Sequence, residues 1–340
     1  MWSRARWIGA IGIVAAVSVP LAGCSDATDA AQNSSTSTST TGPRSTTVPT
    51  TRVPAAPELP GLWAVSDTGV VDEAGQRFAS PVDGSDEVLR SLVDDGSGGV
   101  FYLRCPEPLA TECAVEHAQE PNGEPRRLGA AVDLLAAGTW GDRPVLAAAV
   151  IDPTRAADPA ANVGQTLGRL LDVETGESIG TFDWYGWDSG PTAFDIAGGS
   201  IVACMGRGEL CDIGSSDDPA VKPTAIDGIE PDITVSSLVL DGAGSVLAWI
   251  QLEPMDGSVV AVHRDLATGQ DVRDELRTSD EALAVDAVTD GVWAAVRIGE
   301  TVYLNELLGG TGAGTRTVPS TTTEIALRSS GASAGLNSRL

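Results

Sequence analysis

"LDGAGSVLAWIQL", residues 240–252, is an Asp-Gly-x-Gly turn followed without a break by a short apolar run. A turn signal set against so short an apolar stretch predicts a buried β-strand rather than a helix, because helices need longer periodic segments. The same unit recurs along the chain. It reads "DDGSGGVFYLRC" at 94–105, "GTWGDRPVLAAAVID" at 138–152, "IAGGSIVACMG" at 196–206 and "VTDGVWAAVRIG" at 288–299. Gly96, Gly141, Gly198, Gly242 and Gly291 mark successive units, at steps of 45, 57, 44 and 49 residues. The long step carries a polar insertion, "DPTRAADPAANVGQ" (152–165).

A second element lies further along the unit. "LLDVETGESIGTFD" (170–183) and "HRDLATGQDVRDEL" (263–276) share Asp-x-x-Thr-Gly, so Asp172/Asp265, Thr175/Thr268 and Gly176/Gly269 predict hairpin turns with glycine at positive φ. A period near 45 residues built of short strands is the pattern of a β-propeller blade. The ends of the chain complete the count. "PGLWAVSDTGVVDEAGQRFASP" (60–81) reads as strands two to four of a blade without its first strand, and "TTTEIALRSSGASAG" (321–335) as a first strand with nothing after it. Pairing Glu324–Ser329 beside Leu62–Ser66 would close the ring. The expectation is an all-β, six-bladed propeller over 57–340, seven-bladed if 130–190 hides two blades. Two stacked β-sandwiches are the alternative, and no strand–GxGxxG–helix unit supports a Rossmann fold.

The first 23 residues have a different character. Arg4 and Arg6 precede an apolar stretch, Trp7–Val19, and Leu21-Ala22-Gly23-Cys24 follows. A basic start, a short apolar core and small residues before a cleavage point describe a secretory signal, too short for a comfortable membrane span. Leu-Ala-Gly-Cys resembles the lipobox of bacterial lipoproteins. The resemblance implies a diacylglyceryl group, with its two acyl chains, on Cys24 Sγ and cleavage before Cys24, which becomes the new N-terminus. Two chains hold firmly where one is marginal. Residues 25–56, with "NSSTSTSTTGPRSTTVPTTRVP", have too little apolar surface to offset the entropy of ordering and predict a disordered tether. As a flexible coil it would reach roughly 30 Å. The protein is thus expected on the outer face of the cytoplasmic membrane, lipid-anchored and monomeric.

Composition excludes several activities. The formal net charge is −26, and loss of the signal removes two arginines and no acid. So acidic a chain repels nucleic acid and anionic lipid surfaces. Its one lysine, Lys222, lies in "AVKPTA", outside any glycine-rich phosphate loop. Its two histidines, His117 and His263, read as residues in polar surroundings, too few for a histidine-rich metal site. No G-x-S-x-G elbow is present. Asp-Gly turns at Asp95, Asp241 and Asp290 could hold Ca²⁺ but lack the D-x-D-x-D-G array, so no cofactor is expected. The Asp-x-x-Thr-Gly pair resembles part of the docking motif of quinoprotein-type propellers. It departs from that motif at the first position (Leu170, His263) and at the tryptophan position (Gly180, Arg273).

Besides Cys24, the cysteines fall in two close pairs. Cys105 and Cys113 enclose "PEPLATE", and Cys204 and Cys211 enclose "MGRGEL". Outside the cytoplasm such pairs predict disulfides, Cys105–Cys113 and Cys204–Cys211. The candidate ligand site is "TFDWYGWDSGP" (181–191), where Trp184, Tyr185 and Trp187 sit between Asp183 and Asp188. Aromatic planes beside carboxylates suit sugars; the alternative is packing between blades. Trp63, Trp249 and Trp293 occupy matching strand positions and predict blade packing. Two functions follow: a non-catalytic binding or scaffold module meeting an envelope protein or glycan, or a carbohydrate- or lactone-acting hydrolase or lyase with acids at the channel.

Overall fold

In a computed structural model the chain is described over residues 59–140, 143–151, 166–182, 191–197, 199–205, 210–215, 224–226, 229, 234–241, 243–252, 258–276, 283–288, 291–307 and 312–328. These residues form six four-stranded antiparallel sheets, the six blades of a β-propeller. Blade 1 is ordered β24 (Glu324–Arg328), β1 (Gly61–Ser66), β2 (Gly69–Asp72), β3 (Arg77–Ala79). Blade 2 is β4 (Val88–Asp94), β5 (Val100–Cys105), β6 (Cys113–Ala118), β7 (Arg126–Ala131). Blade 3 is β8 (Asp133–Trp140), β9 (Arg143–Ile151), β10 (Thr166–Asp172), β11 (Ser178–Phe182). Blade 4 is β12 (Pro191–Ala197), β13 (Ser200–Met205), β14 (Leu210–Ser215), β15 (Thr224–Ala225). Blade 5 is β16 (Thr234–Leu240), β17 (Val246–Leu252), β18 (Val259–Asp265), β19 (Asp271–Glu275). Blade 6 is β20 (Leu283–Val288), β21 (Gly291–Ile298), β22 (Thr301–Glu306), β23 (Ala313–Thr317).

The first strand of every blade lies innermost. Each packs beside the first strand of the next blade, and β20 meets β24, which in turn meets β4. The C-terminal strand β24 pairs with β1 from Gly61↔Arg328 to Val65↔Glu324, so blade 1 is made of the two ends of the domain.

Why this sequence stacks its sheets in a ring follows from its second strands. Successive side chains of a strand point to opposite faces. In β9, Leu146, Ala148 and Val150 pack toward blade 2, while Val145 and Ala147 pack toward blade 4. Both faces are buried, so the strand reads as a continuous apolar run rather than an alternating one. Repeated around the molecule, this gives six clusters of buried apolar side chains among the described residues, each between two successive blades.

Trp63, Trp249 and Trp293 are 0%, 1% and 4% exposed, and each fills one of these clusters. Tyr102 does the same in blade 2. Trp63 Nε1–H donates to Asp94 Oδ1 (2.7 Å), its ring meets Phe78 edge-on (4.6 Å), and the Arg328 guanidinium lies 4.6 Å over it.

The turn chemistry is local. Asp172 Oδ1 accepts from the Thr175 N–H (2.8 Å) and hydroxyl (3.0 Å), and Asp265 Oδ1 does the same for Thr268 (2.7 and 2.9 Å). Gly176 and Gly269 take φ of 74° and 69°, where L-residues are strained. The Asp-x-x-Thr-Gly element is a hairpin cap between third and fourth strands. Both predicted disulfides are present, each joining the second and third strands of its blade. A bridge closing so short a loop contributes roughly 2–3 kcal/mol in the chain-entropy picture.

Candidate functional site

The meander divides the ring into two faces. Turns between first and second strands, and between third and fourth, emerge at one end, the turn face. Loops between second and third strands, and connectors into each inner strand, emerge at the other, the loop face. On the turn face five of the described links are capped by aspartate: Asp72, Asp95, Asp172, Asp241 and Asp265 each accept backbone N–H groups within their own turn. Both disulfides clamp loops on the loop face.

At the loop-side mouth of the ring, β4 departs from regular pairing between Arg90 and Val93. Such a bulge frees residues from the ladder and lets them point elsewhere. Ser91 takes φ 56°, a conformation uncommon for a side-chain-bearing residue. Its N–H and that of Leu92 converge on one carboxylate, Glu324 on β24, at 2.9 and 2.7 Å. Two successive N–H groups turned to one side form a concavity that suits an anion, and here the chain's own last strand supplies it. The Ser91 hydroxyl donates to Asp133 Oδ1 on β8 (2.5 Å). Three inner strands from three blades are thus joined through Glu324, Ser91 and Asp133. Arg90 completes the corner: its Nη2 donates to the carbonyls of Ala110 (3.2 Å) and Val132 (3.4 Å), beside Cys113 Sγ. Burial pushes the Glu324 carboxyl above its ordinary range, with the Ser91 and Leu92 amides opposing that push.

A second carboxylate does similar work across the ring. Asp195 on β12 is 9% exposed and accepts the Leu240 N–H of β16 at 2.6 Å. Burial pushes its pKa up to about 7, against the pull of the Leu240 and Ile196 amides. A carboxyl raised in the folded state holds its proton where the unfolded chain has already lost it. Its contribution to stability is therefore greatest at low pH and is lost as pH rises from about 4 to 7, at up to ~1.4 kcal/mol per unit. The melting temperature should rise on acidification from pH 7.5 to 5, and Asp195→Asn should flatten that rise while keeping an acceptor for Leu240. Equal pH slopes for both proteins would show that Asp195 is not held as described.

His117 requires a correction. Read from sequence as a residue in polar surroundings, it is 3% exposed, stacked on Phe101 at 4.3 Å. Its Nε2 lies 2.8 Å from Asp95 Oδ2, while Nδ1 faces Arg126 Nη2 at 3.5 Å. Burial raises the Asp95 carboxyl, but hydrogen bonds from His117, Ser97 and Gly99 outweigh it and hold the group below its ordinary value. An ionised carboxylate only accepts, so Nε2–H donates. The pair anchors the β4–β5 turn to β6; the sequence missed it because Asp95 and His117 meet only once the hairpin registers.

Cys24 and the aromatic candidates Asp183, Trp184, Tyr185, Trp187 and Asp188 lie outside the described residues. The strands flanking the latter, β11 and β12, end and begin at Phe182 and Pro191. Among the described residues no three His, Cys, Asp or Glu side chains are grouped to hold a metal ion.

No family model matches the chain, and no curated protein matches it by sequence. Solved structures match it by shape. TolB from Acinetobacter baumannii is 12% identical with a TM-score of 0.55, over 79% of this chain and 66% of that one. The hydrazine synthase of Kuenenia stuttgartiensis is 12% identical with a TM-score of 0.40, over 67% of this chain and 65% of that one. The chain thus spans just under two thirds of either. At such identity the TolB likeness shows the fold alone, and it is the propeller that the strand order already gives.

Proposed function

We propose that this protein is a lipid-anchored, extracytoplasmic β-propeller acting as a non-catalytic binding or scaffold module at the cell envelope. One observation carries the reading. Three acids on the inner strands, where a propeller hydrolase would keep its acid–base groups, hold blades together among the described residues: Glu324 accepts from β4, Asp133 from Ser91 and Asp195 from β16. A carboxylate engaged with backbone amides is positioned by the fold, not for a substrate. Both disulfides suit an oxidising compartment, which agrees with the signal and the lipobox-like Leu21–Cys24.

The anchor and the binding role are tested separately. The full chain should sediment with membranes through a high-salt wash and leave them only with detergent, whereas Cys24→Ser should be released. Equal retention of both would overturn lipid anchoring through Cys24. Thermal melts of the full chain with EDTA, Ca²⁺, envelope glycans and lactones test the second part. A ligand at a hundred times its Kd adds about 2.7 kcal/mol. Binding without product formation supports the module, and release of a hydrolysed or eliminated product would replace it with the enzyme reading.

A further inference from the structure

The exposed large apolar side chains of the described residues are unevenly placed. Leu109 (82% exposed), Val82 (58%) and Ile298 (38%) lie on the loop face, and Val272 (50%) on the outer strand β19. Leu109 and Val82 belong to one corner. Val88 pairs with Cys105, so the connector 80–87 entering β4 and the loop 106–112 leaving β5 stand side by side.

Both segments are held in place before anything binds. The Cys105–Cys113 disulfide closes the loop, Pro106 and Pro108 stiffen it, and the Ala110 N–H donates to Glu107 O (3.1 Å). Arg90 fixes the Ala110 carbonyl. Arg104 fixes the connector through Ser80 O (2.9 Å) and Glu87 (3.0 Å). A pre-ordered surface avoids most of the entropy cost of ordering on binding. An isolated exposed leucine is ordinary. One within a disulfide-clamped turn is held outward in a fixed place.

The charge around it has one sign. Asp83, Asp86, Glu107 and Glu112 are exposed beside Val82 and Leu109. The neighbouring cations, Arg90 and Arg104, are turned to backbone carbonyls and to Glu87 and Glu116. In a chain of net charge −26 this corner would draw in a cationic partner and repel an anionic one.

We propose that connector 80–87 and loop 106–112 form a docking surface for an extended segment of a partner protein that carries an apolar side chain flanked by lysines or arginines. Leu109 is the apolar anchor and the acids are the rim that sets partner choice. The inference rests on the binding-module reading and deepens it by naming the surface and the partner's chemistry.

The test uses the full chain in its own cells, with photo-reactive benzoylphenylalanine at position 109, at 298 on the same face, or at 267 on the turn face. The expected result is a protein adduct from position 109 and none from 267, with the cross-linked peptide rich in Lys or Arg around an apolar residue. A synthetic copy of that peptide should bind the full chain about tenfold more weakly after Leu109→Ser, as for an anchoring side chain. Glu107→Lys with Glu112→Lys should weaken it comparably, with melting temperatures unchanged. An adduct with a lipid, a glycan or a second copy of this chain, equal adducts at 109 and 267, or none at 109 would overturn the proposal. An adduct at 298 without one at 109 would leave the module reading standing and remove this surface from it. Product formation in the glycan and lactone screen would remove the module reading itself.

Discussion

Gly138→Ala is expected to destabilise the ring by about 3 kcal/mol, the upper end for forcing atoms into a filled core. A Cβ at Gly138 on β8 would stand 2.1 Å from the Ile196 carbonyl oxygen and 2.7 Å from its Cγ2 on β12. The obstacle is backbone, so no side-chain rotation relieves it, and blades 3 and 4 must separate along their inner strands. In a domain of this size the melting temperature should fall by roughly 5–10 °C. Gly129→Ala is the control, because a Cβ there meets nothing within 4 Å. That variant should melt within about 0.5 kcal/mol of the parent, as for surface changes generally. Equal melting of the two variants would mean that the inner strands of blades 3 and 4 do not approach as described.

The second large effect is at the join between blades 1 and 2. Trp63→Ala should cost about 3–5 kcal/mol in urea unfolding followed by circular dichroism. The change opens a cavity among Val65, Phe78, Leu89 and Tyr102, and withdraws the ring on which Arg328 lies. Trp63→Phe separates the contributions. It keeps an aromatic ring against Phe78 but removes the N–H that serves Asp94, so it should recover most of the loss and leave a deficit of about 1 kcal/mol. Trp63 sits on the strand that pairs with the C-terminal strand, so Trp63→Ala should also loosen β24, raising proteolysis after Arg328 more than Gly138→Ala does. Cleavage at equal rates would show that the packing under β1 does not hold the chain ends.

The positions where the sequence reading succeeded share a short range. The Asp172 and Asp265 caps close over four or five residues, and the disulfides over seven or eight. Trp63 and Trp293 were legible as packing residues because the repeat places each third in its strand, after a glycine and an aliphatic residue. Where the reading failed, the partner lay elsewhere in the chain. Nothing in "TTTEIALR" marks Glu324 as the acceptor for Ser91, more than 230 residues away. Nothing in "DDGSGG" shows that Asp95 meets His117.

The sequence by itself determined the blade, since turn residues and apolar runs act within a few residues and fix where each strand begins and stops. It made the ring the expected arrangement, since strands apolar on both faces must be covered on either side, but the choice of six blades over seven or over stacked sandwiches was made by the tertiary packing. The tertiary structure alone decided what each acid does. Among 47 acidic residues, composition cannot separate those that hold blades together from those left at the surface. The separation is made by the neighbouring blade: Asp195 and Glu324 meet backbone amides there and are desolvated, while Glu107 and Glu112 meet water and keep their charge available to a partner.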